Sequence, residues 1–250
     1  LPGRQEELLE ALLATGTPVV LVLLSGRPYE LSRQIDRLAA VVCGFYPGEE
    51  GAAALADVLS GRVNPSGRLP VSFPGAGSSQ PSTYLSAALG HRSDVSSVDP
   101  TPLFPFGHGL SYAPATWVSV DAGTGEWPTD GTCRVVTTLR NDTEITTTEV
   151  VQIYLHDPVA EVARPVQQLI GAVKVDLAPG QTRSVTAVLH ADLTSYTGRA
   201  GHRQVDPGVV ELRVGRSSED VHATAPFTLT GPRRRVGFDR ALVPTFEIGG

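Results

Sequence analysis

Methionine is absent from this 250-residue chain, lysine occurs once, at Lys174, and cysteine twice, at Cys43 and Cys133. Two cysteines about 90 residues apart, in segments of different character, make neither a disulfide framework nor a metal knuckle, so both are expected as buried free thiols. Basic charge is scarce, with 20 Lys and Arg against 26 Asp and Glu, a net charge of -6 and a pI of about 5.5, which gives no nucleic acid a reason to bind. The one basic cluster, 233–235, reads as a solvated tail. The longest apolar run, 18–24, is strand-sized and falls short of the ~20 residues of a membrane span, so no membrane partner is expected. Aromatics make up only 6% of the chain, too few for a sandwich that binds sugars on an exposed aromatic face.

Catalytic signatures are equally sparse. The six histidines (His91, His108, His156, His190, His202 and His222) show no pair at metal-ligand spacing, and no metal or cofactor is expected. There is no G-x-S-x-G around Ser25, no G-x-G-x-x-G and no P-loop. His108, between two glycines, reads as a packing residue of a loop. Asn141-Asp142-Thr143 fits either a glycosylation acceptor or a turn between strands.

What is present is a change of period. Leu8, Leu9, Leu12 and Leu13 repeat at helical spacing and Gly16 ends the run; PVVLVLLSG and AAVVCGF are continuous apolar strands, as expected in a parallel sheet covered on both faces. A short helix at 31–38 separates them. A third helix begins near Glu49 with Ala52, Leu55, Ala56 and Leu59 on its apolar face, and LPVSF is expected as a third strand. This is an α/β layer with few strands, an incomplete α/β sandwich domain assigned to 1–115, with a long loop at 75–111 pinned by Leu103, Phe104, Phe106, Leu110 and Tyr112. From Trp117 the pattern turns to seven short β runs (WVSV, CRVVTTL, EVVQIYLH, QLIGAVKVDL, RSVTAVLH, VVELRVG and APFTLTG), which predicts an all-β sandwich of immunoglobulin or fibronectin III type over 116–231. Residues 232–250 read as a tail laid over another surface. With no methionine and the opening LPGRQ, the chain is expected to be a piece of a longer protein; its compartment is left open, leaning cytoplasmic.

Glu49 and Glu50 are the one pair of adjacent carboxylates between glycines. Successive helical residues point about 100° apart, whereas a retaining glycosidase needs two carboxyl groups ~5–5.5 Å apart across one bond. They read as helix-start acids, favourable with the helix dipole by roughly 0.3–1 kcal/mol each.

Three motifs together, LPGRQEELL, YPGEEGAAALADVLSGRVNPSGRLPVSFP and PLFPFGHGLSY, resemble family 3 glycoside hydrolases. The stretch from EVVQIYLHDPVAEVARPVQQLIGAVKVDLAPGQTRSV to VDPGVVELRVGRSSED resembles the fibronectin type III-like domain of the same enzymes. The resemblance covers residues 1 to about 230. It implies the C-terminal portion of an exo-acting retaining β-glucosidase or β-xylosidase, whose partners are a β-linked glucoside or xyloside and a (β/α)8 barrel. By the same resemblance the nucleophile lies on that barrel and the acid/base upstream of LPG-Q, so no catalytic residue is expected within the chain. Relatives carry a Y-R-Y-Y-D pattern where this sequence has GHRSDVSSVDPTPLF, and Arg92 and Asp94 are what the resemblance leaves as substrate-binding residues. The alternative is a non-catalytic module that binds carbohydrate or protein.

Overall fold

The computed structural model describes residues 1–77, 83–123 and 125–250, and the chain forms two compact units. Part of the expected 75–111 loop, residues 78–82, lies outside the described residues. The first unit comprises 1–63, 69–83 and 89–106; the second comprises 64–68, 84–88 and 107–250.

In the first unit, α1 (Gln5–Leu13) leads to β1 (Val20–Leu23), which pairs in parallel with β2 (Ala40–Cys43), and α2 (Gly51–Leu59) follows. The run 31–38 forms only a 3-10 turn at Ile35–Arg37, not the expected helix. Leu31 and Gln34, the buried residues of this stretch, lie just before the turn, and so short an isolated helix is marginal. LPVSF does not join the sheet either. Phe73 alone makes an antiparallel bridge with Phe104, donating its N–H to the Phe104 carbonyl (2.8 Å) and stacking edge-to-face on that ring at 5.8 Å. Around this bridge Leu23, Leu31 and Phe73 form a small core with Leu21, Val41, Leu69 and Leu103 packed on it.

The helices cover less than their period suggested. Leu9 is the buried leucine of α1, while Leu8 and Leu12 are exposed; on α2, Ala52, Ala56 and Leu59 face solvent and Leu55 and Val58 are half-buried. A two-stranded sheet offers one narrow face, so a stripe sized for a wider sheet stays open. Leu110 and Tyr112, expected as anchors of the loop, are exposed as well.

The second unit is a sandwich in which all seven predicted strands are present. β3 (Thr116–Asp121), β4 (Gly125–Pro128), β5 (Thr132–Arg140), β6 (Thr147–His156), β7 (Gln168–Leu177), β8 (Thr182–His190), β9 (Tyr196–Thr197), β10 (Arg203–Val205), β11 (Gly208–Gly215), β12 (Val221–Thr230), β13 (Arg234–Arg235) and β14 (Thr245–Gly249) follow in order. One sheet runs β4-β12-β11-β6-β7, the facing one β14-β8-β5-β3, and a small ribbon runs β13-β10-β9. Alternation along β5 turns Cys133, Val135, Thr137 and Leu139 inward, against Trp127, Ile153, Leu155, Val175, Leu212 and Phe227. Both cysteines are free, and burial pushes the Cys133 thiol up to about 12, so it packs as a small apolar side chain.

Two readings of the C-terminus change. The segment expected as a tail contributes β14, which pairs with β8 from Thr245↔Val188 to Gly249↔Ser184. The basic cluster is not simply solvated: Arg233 pairs with Asp206, and Arg234 bonds Asp192 and the Thr129 carbonyl. Asn141 is fully buried; its amide donates to the Ile145 and Leu177 carbonyls (2.8 and 3.0 Å) while its oxygen accepts from the Thr143 N–H and hydroxyl. The turn reading holds there, since no amide hydrogen is left exposed to a glycan-transferring enzyme.

Candidate functional site

The expected acids sit where a helix starts. Gly48 has φ +71, Glu50 occupies the N-cap position of α2, and the helix follows at Gly51. Both carboxylates are exposed, and neither makes a cap hydrogen bond. Ser25, in the loop after β1, donates to the Arg27 carbonyl at 2.6 Å.

Arg92 and Asp94 are both exposed in the first unit. Arg92 faces Asp99 at 3.5 Å, whose carboxyl is held low by hydrogen bonds from Thr101 and then by Arg92. No bond or ion pair between Arg92 and Asp94 occurs among the described residues. A guanidinium and a carboxylate at these positions can donate to and accept from sugar hydroxyls.

The carboxyl ends of β1 and β2 are more constructed. Phe45 follows β2 with φ +51, a left-handed conformation costing of order 1–3 kcal/mol for such a side chain. The next residue, Tyr46, lies over Gly26, where a Cβ would come within 2.7 Å of the ring. Glycine at 26 is therefore what lets the Tyr46 ring lie down beside the loop after β1.

The strongest electrostatic assembly was not anticipated from sequence. Glu149, on β6, is 2% exposed and accepts from Arg68 Nη2 (2.7 Å), Arg216 Nε (2.9 Å), Trp117 Nε1 (3.2 Å) and the Val150 N–H (2.9 Å). Burial pushes its carboxyl up, and the Val150 N–H, Arg216 and Arg68 outweigh that and hold it low. Arg216 also lies over the Trp117 ring at 5.7 Å, with His222 stacked parallel to Trp117 at 4.3 Å. A general acid needs a raised pKa and an open side. Glu149 has neither, and its task is structural. The one signal in the sequence was a charged residue at an inward position of an otherwise apolar strand.

Around it, the motif residues of the second unit are tied to β6. Asn64 accepts from the Ser111 hydroxyl (2.8 Å) and the Tyr112 N–H (2.9 Å). Gly107, with φ +81, sits so close to Gln152 and Tyr154 that any Cβ would collide with both, and its carbonyl accepts from Gln152 Nε2 at 3.1 Å. Burial, then Arg68, pushes His108 down, as suits a neutral packing residue. No cluster of three or more metal-ligating side chains occurs among the described residues, and no described helix is long and apolar enough to cross a membrane.

Comparison with known proteins gives these segments a context. Residues 1–112 match the glycosyl hydrolase family 3 C-terminal domain, and 149–218 the fibronectin type III-like domain. The chain is 38% identical over 247 residues to a β-glucosidase of Rhizobium radiobacter, with 92% of this chain and 30% of that protein covered. It is 35% identical over 220 residues to a β-xylosidase of Formosa agariphila, covering 87% of this chain and 30% of the relative. Among solved structures, a β-glucosidase of Listeria innocua in complex with glucose superposes with a TM-score of 0.85 at 30% identity, over 93% of this chain and 33% of that one. The chain thus spans about a third of the length of these relatives.

Proposed function

Because residues 1–112 belong to the glycosyl hydrolase family 3 C-terminal domain and 149–218 to the fibronectin type III-like domain, we propose that this chain is the C-terminal portion of a retaining, exo-acting β-glycosidase. Its substrates in the complete enzyme are terminal β-linked glucosides or xylosides, the two activities named among its relatives. The observation that carries this reading is the joint match of both domains in order; the buried carboxylates Glu149 and Asp192 are both held by arginines. Double displacement needs a nucleophile and an acid/base flanking one bond. Both groups are supplied from outside these 250 residues, the nucleophile by a (β/α)8 barrel.

The first unit then belongs to an α/β sandwich domain of which β1 and β2 are two strands. The parallel pairing of β1 with β2 supports this, as do the apolar side chains left open on α1 and α2. Arg92 and Asp94 are the residues of this chain proposed to approach substrate. The domain limits 1–115, 116–231 and 232–250 are likewise part of the proposal, with the last segment tied to the sandwich through β14.

The test is turnover of aryl β-glucoside and aryl β-xyloside by the longer polypeptide that contains this chain. Hydrolysis with retention at the anomeric carbon is expected. A longer polypeptide that binds these sugars without cleaving either would overturn the enzymatic reading in favour of an accessory module.

A further inference from the structure

Four arginines of the second unit converge on one short stretch of backbone. A 3-10 turn at Ala191–Thr194 gives way to Ser195, and the last carbonyls of such a turn have no helical partner. Guanidiniums take that place. Arg164, from the β6–β7 connection, donates from Nη1 to the Thr194 carbonyl at 3.0 Å. Arg203, on β10, donates from Nη2 to the Ser195 carbonyl (2.7 Å) and from Nε to the Ser195 hydroxyl (2.9 Å). In the same turn Asp192 is bonded by Arg234 and accepts the Ala241 N–H at 2.9 Å, which ties the residue before it, Arg240, to the turn. Arg240 Nη1 donates to the Gly237 carbonyl (3.0 Å), and the Val236 N–H donates to the Arg203 carbonyl (3.0 Å).

Only two of the four cations are neutralised. Arg164 pairs with Asp157 at 2.6 Å and Arg234 with Asp192, whereas Arg203 and Arg240 form no ion pair among the described residues. The neighbouring carboxylates are committed elsewhere. Asp206 is bonded by Arg233, Tyr196 and Gln204, and Glu161 by Gln204 and the Arg199 N–H. Asp239, though next to Arg240 in sequence, makes no ion pair with it among the described residues. Two positive charges are left over on half-buried side chains, and they repel: burial, then Arg240 and Arg164, pushes Arg203 down. A partly desolvated cation without a partner is costly, and it attracts an opposite charge more strongly than it would in open water. Donors remain as well, since Arg203 keeps Nη1 and Arg240 keeps Nε and Nη2. A carboxylate brings one charge and two oxygens, which one guanidinium fork satisfies. A phosphate brings about -1.5 to -2 charges and three acceptor oxygens, matching a surplus of two presented from three side chains. We propose that Arg164, Arg203 and Arg240 form a binding site for a tetrahedral oxyanion, a phosphate either free or carried as a monoester. The inference stands on the sandwich alone and does not depend on the proposed reaction.

The experiment is hydrogen exchange on the longer polypeptide near neutral pH, with inorganic phosphate replacing chloride at constant ionic strength. At about 20 mM, phosphate bound with a Kd of about 10 mM or tighter slows exchange by at least about threefold wherever opening releases it. That slowing is expected in peptides over 191–203 and 236–241, while peptides over β3 and β7 exchange as before. Glycerol 3-phosphate forms a second arm: a larger effect than that of phosphate identifies a monoester as the ligand, and an equal or smaller one the free ion. Acetate, a third arm, is expected to leave both segments unchanged. Arg203→Gln/Arg240→Gln should lose the slowing. Should that variant unfold, Arg240→Gln alone, which leaves the bonds to Ser195 in place, must weaken it. The inference is overturned if phosphate and glycerol 3-phosphate both leave the two segments unchanged, or if acetate slows them equally. It is also overturned if every peptide of the second unit slows alike, as an excluded salt would cause, or if the slowing survives intact in the variants.

Discussion

At Glu149 a carboxylate that has lost nearly all contact with water is kept ionised by four donors, two of them guanidiniums. Breaking a buried pair by removing one partner costs more than the pair contributes, since the remaining charges stay buried without compensation. Glu149→Gln is expected to destabilise the second unit by about 3–5 kcal/mol. Both tryptophans, Trp117 and Trp127, lie in that unit, so a urea titration followed by tryptophan fluorescence reads it selectively. The same residues set a pH dependence. Burial, then Arg216, lowers His222, so its contribution weakens as pH falls below the ordinary histidine value of about 6.5. The lowered carboxyls of Glu149 and Asp192 contribute above the ordinary carboxylate range, and that contribution is lost as pH falls through their depressed values. The urea midpoint should therefore decline gently below about pH 6.5 and steeply below about pH 4.5, and Glu149→Gln should flatten the steep limb. A midpoint that rises on acidification would contradict this. By contrast, Glu49→Gln and Glu50→Gln in the complete enzyme should leave kcat within about tenfold, because a helix-start acid supplies at most ~1 kcal/mol and moves no proton. Loss of a working acid/base costs roughly 10²–10⁴-fold, and a drop of that size with the fold intact would place the chemistry here after all.

Among elements, the strands of the sandwich were legible because each is short, alternates and ends on a turn, so local pattern and tertiary role agree. The exceptions have physical causes. LPVSF alternates like a strand, yet only Phe73 finds a partner, because pairing depends on a neighbouring edge that periodicity does not encode. β14 escaped notice because its pairing with β8 is long-range and its residues are mostly exposed. β6 is buried along nearly its whole length rather than on one face, since Gly107 and Tyr84 reach the side chains that point away from the core. That contact depends on the missing Cβ at 107. Gly107→Ala combines a strained positive φ with collision against Gln152 and Tyr154, and should cost about 1–3 kcal/mol. The urea midpoint of the second unit checks it, and an unchanged midpoint would show that the 107–112 segment is dispensable to β6. The candidate site was less legible: the motif residues pointed to an enzyme, but the donors gathered on Glu149 come from Arg68, Trp117 and Arg216, whose separation in sequence carries no spacing signature.

The whole chain separates its two units by what each can satisfy alone. The sandwich has a continuous core from Trp127 through Leu229, with strands paired on both sheets. The first unit has three buried apolar side chains at its centre, a two-stranded sheet, and Leu8, Leu12, Val20, Leu24 and Leu59 open to water. A two-stranded sheet is marginal without further strands or a larger apolar cover. Hydrogen exchange on the 250-residue chain should therefore show strong protection in β5, β6, β8 and β11, and weak protection in β1 and β2. Equal, strong protection of both units in a monomer would mean that the first unit is complete in itself. Chemistry leads to the matching expectation for activity. Glu49 and Glu50 are exposed helix-start residues, Glu149 is sealed, and the carboxylate facing Arg92, Asp99, is paired with that arginine. The purified 250-residue chain is expected to release no chromophore from aryl β-glucosides or β-xylosides under conditions where the longer polypeptide does. Turnover by the isolated chain, abolished by a substitution within it, would show that a carboxylate pair assembles from residues placed here in structural roles.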